Sequence, residues 1–268
     1  MELIEQIKII AKKAGDKAME FYNIEYDIKQ KDNDGEESPV TQADLASEKV
    51  ILEGIDKLNL DYGILSEETD ETNDRFNKER VWIIDPLDGT MDFIQKTGDF
   101  SIIIGLAEKG KPILGVVYQP ITDTYYFAEK NNGAFKQIGN NAPEQIHISN
   151  RKNFSEMKMM ASRNHLKELE QNFAKEVNIK EFVKSGSAGL KLCKVAEGIG
   201  DIYMNTSDKT GEWDTCAGEI ILSEAGGKFT DMNGEDFIYN RKEVKNVDGF
   251  IGSNGFLHNE IVDKTNQL

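Results

Sequence analysis

The stretch of sequence that decides this fold is Val81-Trp82-Ile83-Ile84-Asp85-Pro86-Leu87-Asp88-Gly89-Thr90, an apolar run that leads directly into two carboxylates. Its first four residues are β-branched or aromatic, which predicts a buried strand. Because proline has no N–H to donate to a neighbouring strand, we expect the chain to turn at Asp85. The candidate catalytic residues therefore lie where a core strand ends.

The acidic end of this stretch suits a magnesium site. Asp85, the carbonyl of Leu87 and Asp88 offer hard oxygen ligands, and Mg2+ binds one or two carboxylates while keeping water and phosphate at its other positions. If a helix begins at Gly89 and Thr90, its free N–H groups can receive a phosphate beside the metal. An ordinary type I turn that caps a helix has the same sequence, so spacing alone leaves both interpretations open.

Length and charge restrict the function. The 268 residues, 38% of them hydrophobic, are sufficient for one large domain or two closely packed halves. A formal charge of −16 argues against nucleic acid polymers as partners, because the field of the protein repels phosphate backbones. A small phosphorylated substrate then needs cations to bridge it to the protein.

The sequence also indicates a compartment. No apolar run approaches the roughly 20 residues of a membrane helix, and the first residues have neither the basic flank nor the apolar block of a signal peptide. Cys193 and Cys216 lie among apolar residues without a CxxC pair, which predicts reduced core thiols. We therefore expect no transmembrane segment and a cytoplasmic location.

The first half is predicted to be a sheet backed by helices. Helical periodicity covers residues 3–22, and the polar residues 29–39 predict a surface loop and candidate lid. Thr41 and Asp44 form a capping box at the start of a second helix, which gives Asp44 a structural role and leaves a functional one open. Residues 62–66 predict a short strand that ends in two acids. Strands at 99–107, 112–119, 124–129 and 134–138, with hairpin turns at 108–111 and 131–133, predict an antiparallel meander.

From about residue 146 the pattern changes to short strands separated by helices. The predicted strands cover 157–161, 181–183 and 201–203, and the predicted helices cover 188–196 and 213–225. This pattern indicates a smaller α/β half. We therefore divide the chain into residues 1–145 and 146–268 and expect the active site between the two halves.

Three segments carry a resemblance to a known superfamily: Ser66-Glu67-Glu68, residues 85–90, and Trp213-Asp214-Thr215-Cys216-Ala217-Gly218. They resemble the motifs of the lithium-sensitive, Mg2+-dependent phosphatases that include inositol monophosphatase, and the resemblance extends over about residues 39–231. It implies an α/β fold of the sugar-phosphatase type with alternating α-β-α-β-α layers. An antiparallel sheet would form the first half, and a smaller α/β unit the second.

The resemblance also implies a set of metal ligands. One Mg2+ would be held by Glu67, Asp85 and the carbonyl of Leu87, and a second by Asp85, Asp88 and Asp214. A further, weakly held Mg2+ near Glu67 is left open. An aspartate such as Asp214 near a helix N-terminus also has an ordinary structural explanation, since it offsets the helix dipole.

The catalytic roles follow from the same resemblance. The Thr90 hydroxyl, oriented by Asp44, would position and help deprotonate the attacking water, and Glu67 would assist through its metal. Backbone N–H groups of Gly89 and Thr90, with Asp88 and Asp214, would contact the phosphoryl group. Water would attack the phosphomonoester directly, without a phosphoenzyme.

Within the superfamily, the sequence resembles the CysQ-type 3'(2'),5'-bisphosphate nucleotidases. The residues that carry this resemblance are 88–94, 110–118, 162–165, 186–191 and 195–198. In 162–165, Asn164 replaces the second serine of a Ser-Arg-Ser-His motif. The resemblance implies removal of the 3'-phosphate of 3'-phosphoadenosine 5'-phosphate. An acidic protein must supply local cations or donors for the second phosphate, and the candidates are Ser162, Arg163, His165, Ser187, Lys191 and Lys209.

Several alternatives stay open at this point. A lysine on a helix, such as Lys191, is most often solvated. An inositol monophosphatase or a fructose-bisphosphatase-like enzyme would share every metal ligand, although residues 204–212 replace the acid expected for inositol by Asn205 and Thr206. A cation-binding module without turnover is the non-enzymatic alternative. A homodimer is also left open.

Overall fold

The computed structural model describes residues 1–22, 42–69, 73–163, 167–207 and 209–268. Over these residues the helices and strands are, in chain order, α1 (Leu3–Tyr22), α2 (Gln42–Asp56), β1 (Gly63–Ser66), β2 (Arg80–Asp88), α3 (Thr90–Ile94), β3 (Ser101–Glu108), β4 (Lys111–Gln119), β5 (Thr124–Glu129), β6 (Ala134–Ile138), β7 (Glu144–Ile146), β8 (Lys158–Ser162), α4 (Glu168–Glu176), β9 (Glu181–Ser185), α5 (Ala188–Ala196), β10 (Ile202–Asn205), α6 (Glu212–Glu224), β11 (Lys228–Thr230), β12 (Phe250–Ser253) and α7 (His258–Thr265).

The first sheet has seven strands in the order β1-β2-β3-β4-β5-β6-β7. The β1–β2 pair is parallel, and each later neighbouring pair is antiparallel, which confirms the predicted meander. Lys109 and Gly110 join β3 to β4 with φ values of 50° and 79°. Two left-handed residues match the twist of the flanking strands, as tight hairpins require.

The second sheet has five strands in the order β11-β12-β10-β8-β9. Strand β8 pairs in parallel with β9 and β10, and β12 is antiparallel to both of its neighbours. The sequence indicated β8, β9 and β10, but not β7, β11 or β12. Those three strands contain only three or four residues each, which is too short for an alternating pattern.

Three apolar clusters separate five layers. The first lies between helices α1 and α2 and one face of the first sheet, the second between the two sheets and around α5 and α6, and the third between the second sheet and α4 and α7. Strand β2 contributes Trp82 and Ile84 to the first cluster and Val81 and Ile83 to the second. A strand buried on both faces is apolar throughout, and the α-β-α-β-α order confirms the expected fold class.

Helix α6 packs very closely on the first sheet. A Cβ added to Gly115 would lie 2.6 Å from the Ile220 side chain, and one added to Gly105 would lie 2.8 Å from the Cys216 sulfur. Glycine at both positions therefore allows the helix to approach the strands. Cys193 and Cys216 are free and buried in this layer, as predicted.

One prediction about β2 is wrong. The strand does not end at Asp85 but continues to Asp88, and its pairing with β3 shifts between these residues. Asp85 lies opposite Ile103 and Asp88 opposite Ser101, so β2 contains one residue more than β3. Such a bulge interrupts the ladder, and Pro86 is tolerated inside it for that reason.

Other predictions stand as follows. Helix α2 begins at Gln42, with Asp44 in its first turn, as expected. The candidate lid at 29–39 and the capping residue Thr41 lie outside the described residues. The domain division at residue 145 stays a prediction, and the boundary falls within β7, the last strand of the first sheet. None of the described helices combines the length and apolar character needed to cross a membrane.

Helix α6 also carries a half-buried acid, Glu219, away from the carboxyl end of β2. The Tyr239 hydroxyl donates a hydrogen bond of 2.6 Å to Glu219. Burial raises the pKa of Glu219 from its ordinary 4.5 to about 8. The folded protein therefore binds a proton that the unfolded chain releases, and its stability falls as pH rises between these two values.

The substitution Glu219→Gln should remove this pH dependence. The amide oxygen still accepts the Tyr239 hydrogen bond but has no charge to bury, so the variant should be more stable than the wild type at pH 8.5, by roughly 1–3 kcal/mol. Urea denaturation from pH 5 to pH 9 measures the two slopes. Glu53→Gln, at an exposed position on α2, is the control. Parallel slopes in wild type and Glu219→Gln would contradict the assignment.

Candidate active site

Three carboxylates converge where the end of β2 meets the start of α6. Asp85 and Asp88 come from the bulged end of β2, and Asp214 comes from the first turn of α6. Each offers one oxygen, and these oxygens lie within 4.8 Å of one another. Asp85 and Asp88 are buried, and Asp214 is half-buried. The structure thus brings together residues that are distant in the sequence.

These carboxylates destabilise one another as anions. Burial and the charges of Glu67 and Asp88 raise the pKa of Asp85 well above its ordinary value. Burial and the charges of Asp88 and Glu67 likewise raise the pKa of Asp214 well above its ordinary value. A divalent cation would offset this repulsion, and oxygen donors alone are the ligand set that Mg2+ prefers. The donor chemistry therefore fits magnesium.

The N-terminal turn of α5 holds Asp88 in place. Its carboxylate accepts hydrogen bonds from the Ser187 hydroxyl and from the backbone N–H of Gly189, the latter at 2.8 Å. Burial raises the pKa of Asp88, and these hydrogen bonds oppose that rise. Ser187 also caps α5 by accepting the N–H of Leu190 at 2.9 Å. Ser187 thus caps the N-terminus of α5 in the second half and holds the Asp88 carboxylate of the first half.

Close packing makes this joint possible. A Cβ on Gly186 would lie 2.2 Å from the Asp92 carboxylate, and one on Gly189 would lie 2.6 Å from Ile103. The Ser101 and Ser187 hydroxyls are 2.8 Å apart. The sequence did not indicate Ser101, because a lone serine at the start of a strand has no local signal that distinguishes it.

The bulge that presents Asp85 is fixed from both sides. The backbone N–H of Leu87 donates to the Asp85 carboxylate at 3.0 Å, and the Ser47 hydroxyl on α2 donates to the carbonyl of Pro86 at 2.7 Å. Gly89 has φ 95°, and a Cβ there would lie 2.9 Å from the carbonyl of Asp99. Only glycine fits this left-handed position without strain.

Helix α3 begins at Thr90, directly after Gly89, close to the expected start of a short helix there. The Thr90 side chain is half-buried. The Thr90 hydroxyl, which is proposed to orient water, therefore belongs to the first residue of α3, two positions after Asp88 in the sequence.

Glu67 stands beside the three carboxylates rather than among them. Its backbone N–H donates to the carbonyl of Ile84 at 3.2 Å, which places it next to β2. The residue is exposed, yet the protein around its carboxyl group, followed by the charge of Glu68, raises its pKa to about 7. Asp44 is buried, and its charge raises the pKa of both Glu67 and Asp85. Asp44 therefore lies near this site, while its pairing with Thr90 stays a prediction.

Lys191 is not solvated. The residue is 4% exposed, its amine donates to the carbonyl of Gly186, and the nitrogen lies 5.0 Å from the centre of the Tyr203 ring. Burial lowers the pKa of Lys191, and the nearby charges of Asp88 and Asp214 oppose this effect. A buried cation thus stands beside the acid cluster, where the sequence alone left it on a helix surface.

The remaining substrate candidates lie at the end of β8. Ser162 is half-buried and pairs with Ser185 of β9. Arg163 is already engaged, because it forms ion pairs with Asp99 and, at 3.3 Å, with Asp92. Residues 164–166, including the predicted contact His165, lie outside the described residues. Lys209 is exposed.

The first turn of α6 is anchored by hydrogen bonds. Asp214 accepts the backbone N–H of Gly211 at 2.7 Å. Glu212, which is fully buried, accepts the backbone N–H groups of Asn240 and Arg241 and forms an ion pair of 3.1 Å with the Arg241 side chain. The segment after β11 therefore orients the helix that carries Asp214.

Comparisons with known proteins agree with this arrangement. A model of the inositol monophosphatase family matches residues 2–268. The 3'(2'),5'-bisphosphate nucleotidase CysQ of Salmonella typhimurium is 35% identical over 246 residues, covering 90% of this chain and 95% of that protein. The protein of the same name from Escherichia coli K12 is 33% identical over 244 residues, with the same two shares.

Solved structures show the same fold. An IMPase from Thermotoga maritima superposes with a TM-score of 0.82 at 29% identity, covering 100% of this chain and 98% of that one. CysQ from Bacteroides thetaiotaomicron, described as a bacterial member of the inositol monophosphatase family, superposes with a TM-score of 0.79 at 29% identity, covering 93% and 96%.

The layered α/β fold, the carboxylate cluster at the end of β2 and the start of α6, and these relatives together identify a phosphatase. More particularly, the chain belongs to the inositol monophosphatase family, which is metal-dependent. The family resemblance of the three motif segments is thereby confirmed, and the non-enzymatic alternative has no support.

The joint between α5 and Asp88 can be tested with Ser187→Ala. This change removes a helix cap and a donor to a buried carboxylate, so the metal-free protein should lose about 2 kcal/mol in its free energy of unfolding at pH 8. Urea denaturation measures the loss. Ser101→Ala, which removes only the neighbouring hydroxyl, should cost clearly less. An equal loss in both variants would show that Ser187 acts by packing rather than by holding Asp88.

Proposed function

We propose that this protein is a Mg2+-dependent phosphomonoesterase that removes the 3'-phosphate of 3'-phosphoadenosine 5'-phosphate, giving AMP and phosphate. The observation that carries the proposal is the convergence of Asp85, Asp88 and Asp214 within 4.8 Å. The names of the CysQ relatives, at 33–35% identity over 90% of the chain, support the substrate. The cytoplasm is the location that we propose with it.

In this proposal the metal ligands are those of the acid cluster and its rim. Glu67, Asp85 and the carbonyl of Leu87 would hold one Mg2+, and Asp85, Asp88 and Asp214 a second, with a third weak ion near Glu67 left open. The ions would supply positive charge to the phosphoryl oxygens and to the attacking water. The mutual repulsion of the carboxylates supports this role, because cations relieve it.

The chain itself would orient the reactants. The Thr90 hydroxyl would position the attacking water and help to remove its proton, while it donates a hydrogen bond to Asp44. The N–H groups of Gly89 and Thr90 would hold phosphoryl oxygens. The Ser187 hydroxyl donates to one carboxylate oxygen of Asp88, so the orientation of the other carboxylate oxygen is fixed as well. Water would attack phosphorus directly, and no covalent intermediate with a side chain is needed.

The second phosphate of the substrate would be met by the second half of the chain. Lys191 is the strongest candidate, because it is a buried cation beside the acid cluster. Ser162, His165 and Ser187 are proposed as further contacts. Arg163 would contribute while sharing its charge with Asp99 and Asp92, to which it is already paired.

An inositol monophosphatase is the second candidate function. The structural likeness to an IMPase, with a TM-score of 0.82 over the whole chain, favours it as a specific observation. Such an enzyme would use the same acid cluster. Lys191 distinguishes the two functions, because inositol 1-phosphate has no second phosphate for a buried lysine to meet.

A phosphate-release assay across substrates tests the function. With saturating Mg2+, the wild type should hydrolyse 3'-phosphoadenosine 5'-phosphate with a higher kcat/KM than inositol 1-phosphate or fructose 1,6-bisphosphate. Lys191→Met should raise KM for the nucleotide about tenfold to a hundredfold and change KM for inositol 1-phosphate little, since losing one charge-assisted contact costs roughly 1.5–3 kcal/mol. Higher activity of the wild type on inositol 1-phosphate would overturn the nucleotidase assignment.

The metal site is tested by Asp85→Asn. This change removes a carboxylate proposed to contact both ions, so phosphate release should fall to background, while the metal-free protein should be as stable as the wild type or more so because less repulsion remains. Thermal unfolding with and without Mg2+ should show that only the wild type gains stability. Glu53→Gln, at an exposed position on α2, is the control. Near wild-type turnover of Asp85→Asn at saturating Mg2+ would contradict the assignment.

A further inference from the structure

Lys245 is held at the rim of the acid cluster by its backbone. An antiparallel bridge pairs Lys245 with Gly211, the residue whose N–H donates to the Asp214 carboxylate. The N–H of Glu212 donates to the carbonyl of Val244 at 2.9 Å, and the N–H of Asn246 donates to the carbonyl of Thr210 at 2.8 Å. Hydrogen bonds on both sides of Lys245 therefore fix its backbone against the start of α6.

Side chains reinforce this attachment. The buried amide of Asn246 donates to the carbonyl of Gly211 at 2.7 Å and accepts from Arg241 at 3.0 Å. Arg241 in turn pairs with the buried carboxylate of Glu212 at 3.1 Å. These contacts fix the segment from Val244 to Asn246 and thereby position the Lys245 side chain.

The Lys245 amine faces the acids. Its nitrogen lies 4.6 Å from the centre of the Trp213 ring, and Trp213 directly precedes Asp214. The Lys245 charge lowers the pKa of both Glu67 and Asp214. The buried Lys191 interacts electrostatically with Asp88 and Asp214. Both lysines therefore act on Asp214, but only Lys245 also acts on Glu67. Lys245, which is half-buried, is the more accessible of the two.

At this position the positive charge of Lys245 has opposite effects on a bound cation and on a phosphorylated ligand. A cation bound at Glu67 experiences repulsion from the Lys245 amine, because the two compete for one carboxylate. The amine, in turn, loses its attraction to Glu67 and Asp214 once divalent ions neutralise them. A phosphorylated ligand brings a new anion to the same place. A flexible lysine side chain on a fixed backbone can exchange one partner for the other.

We propose that Lys245 is an exchangeable cation of this site. In the metal-free protein its charge is attracted to Glu67 and Asp214 and weakens metal binding on the Glu67 side. In the metal-bound protein it turns to the phosphate of the ligand and strengthens its binding. This inference rests on the proposed Mg2+ site but is independent of which phosphomonoester is hydrolysed.

The two halves of the proposal predict opposite effects of Lys245→Gln. Calorimetric titration of the metal-free protein with Mg2+ should give a dissociation constant about fivefold lower than that of the wild type. Titration of the Mg2+-saturated protein with inorganic phosphate should give a dissociation constant about tenfold higher. A lysine with a purely structural role would not produce changes of opposite sign, because a disturbed site weakens both ligands.

Two matched variants complete the experiment. Lys242→Gln removes the same charge from an exposed position in the same segment and should leave both constants unchanged. Lys245→Arg keeps the charge and should stay within about twofold of the wild type for Mg2+.

The proposal is overturned if Lys245→Gln leaves Mg2+ binding unchanged, if it weakens both ligands, or if it tightens Mg2+ without loss of phosphate binding. Failure of the wild type to bind Mg2+ would overturn the metal site and this inference together. Lack of nucleotidase activity with normal Mg2+ binding would affect only the proposed substrate.

Discussion

The structure depends on the hydrogen bonds between the N-terminal turn of α5 and the carboxylate of Asp88. The Ser187 hydroxyl and the Gly189 N–H belong to the second half of the chain, whereas Asp88 ends a central strand of the first. A buried carboxylate is costly unless donors satisfy it, and here the donors come from a helix start. The same contacts therefore attach α5 to the end of β2 and fix the Asp88 carboxylate beside those of Asp85 and Asp214.

The acids of the site are held together against their own repulsion. Burial and neighbouring charges raise the pKa of Asp85, Asp214 and Glu67, which shows that the fold pays a free-energy cost for the cluster in the absence of cations. Tight packing elsewhere offsets it, notably where glycines of β3 and β4 let α6 approach the sheet. Metal binding and folding are thus coupled through the same carboxylates.

Elements with a strong local pattern were predicted well from the sequence. The helix predicted over residues 3–22 is α1, the strands predicted over 124–129 and 134–138 are β5 and β6, and the helix predicted over 188–196 is α5. Each has enough residues to show a period of 3.6 or of 2, or is bounded by clear turn residues. The short strands β7, β11 and β12 have no such period, and they form because a neighbouring strand offers hydrogen bonds.

The sequence by itself supplied the acidic residues, and the resemblance of its motif segments to a known family implied the class of fold. Tertiary structure decided the rest. It kept Pro86 inside a bulged strand, buried Lys191, paired Arg163 with Asp99, and brought Asp214 to Asp85 and Asp88. The physical reason is that local periodicity depends on adjacent residues, whereas burial and charge pairing depend on segments that meet only when the two sheets pack around α5 and α6.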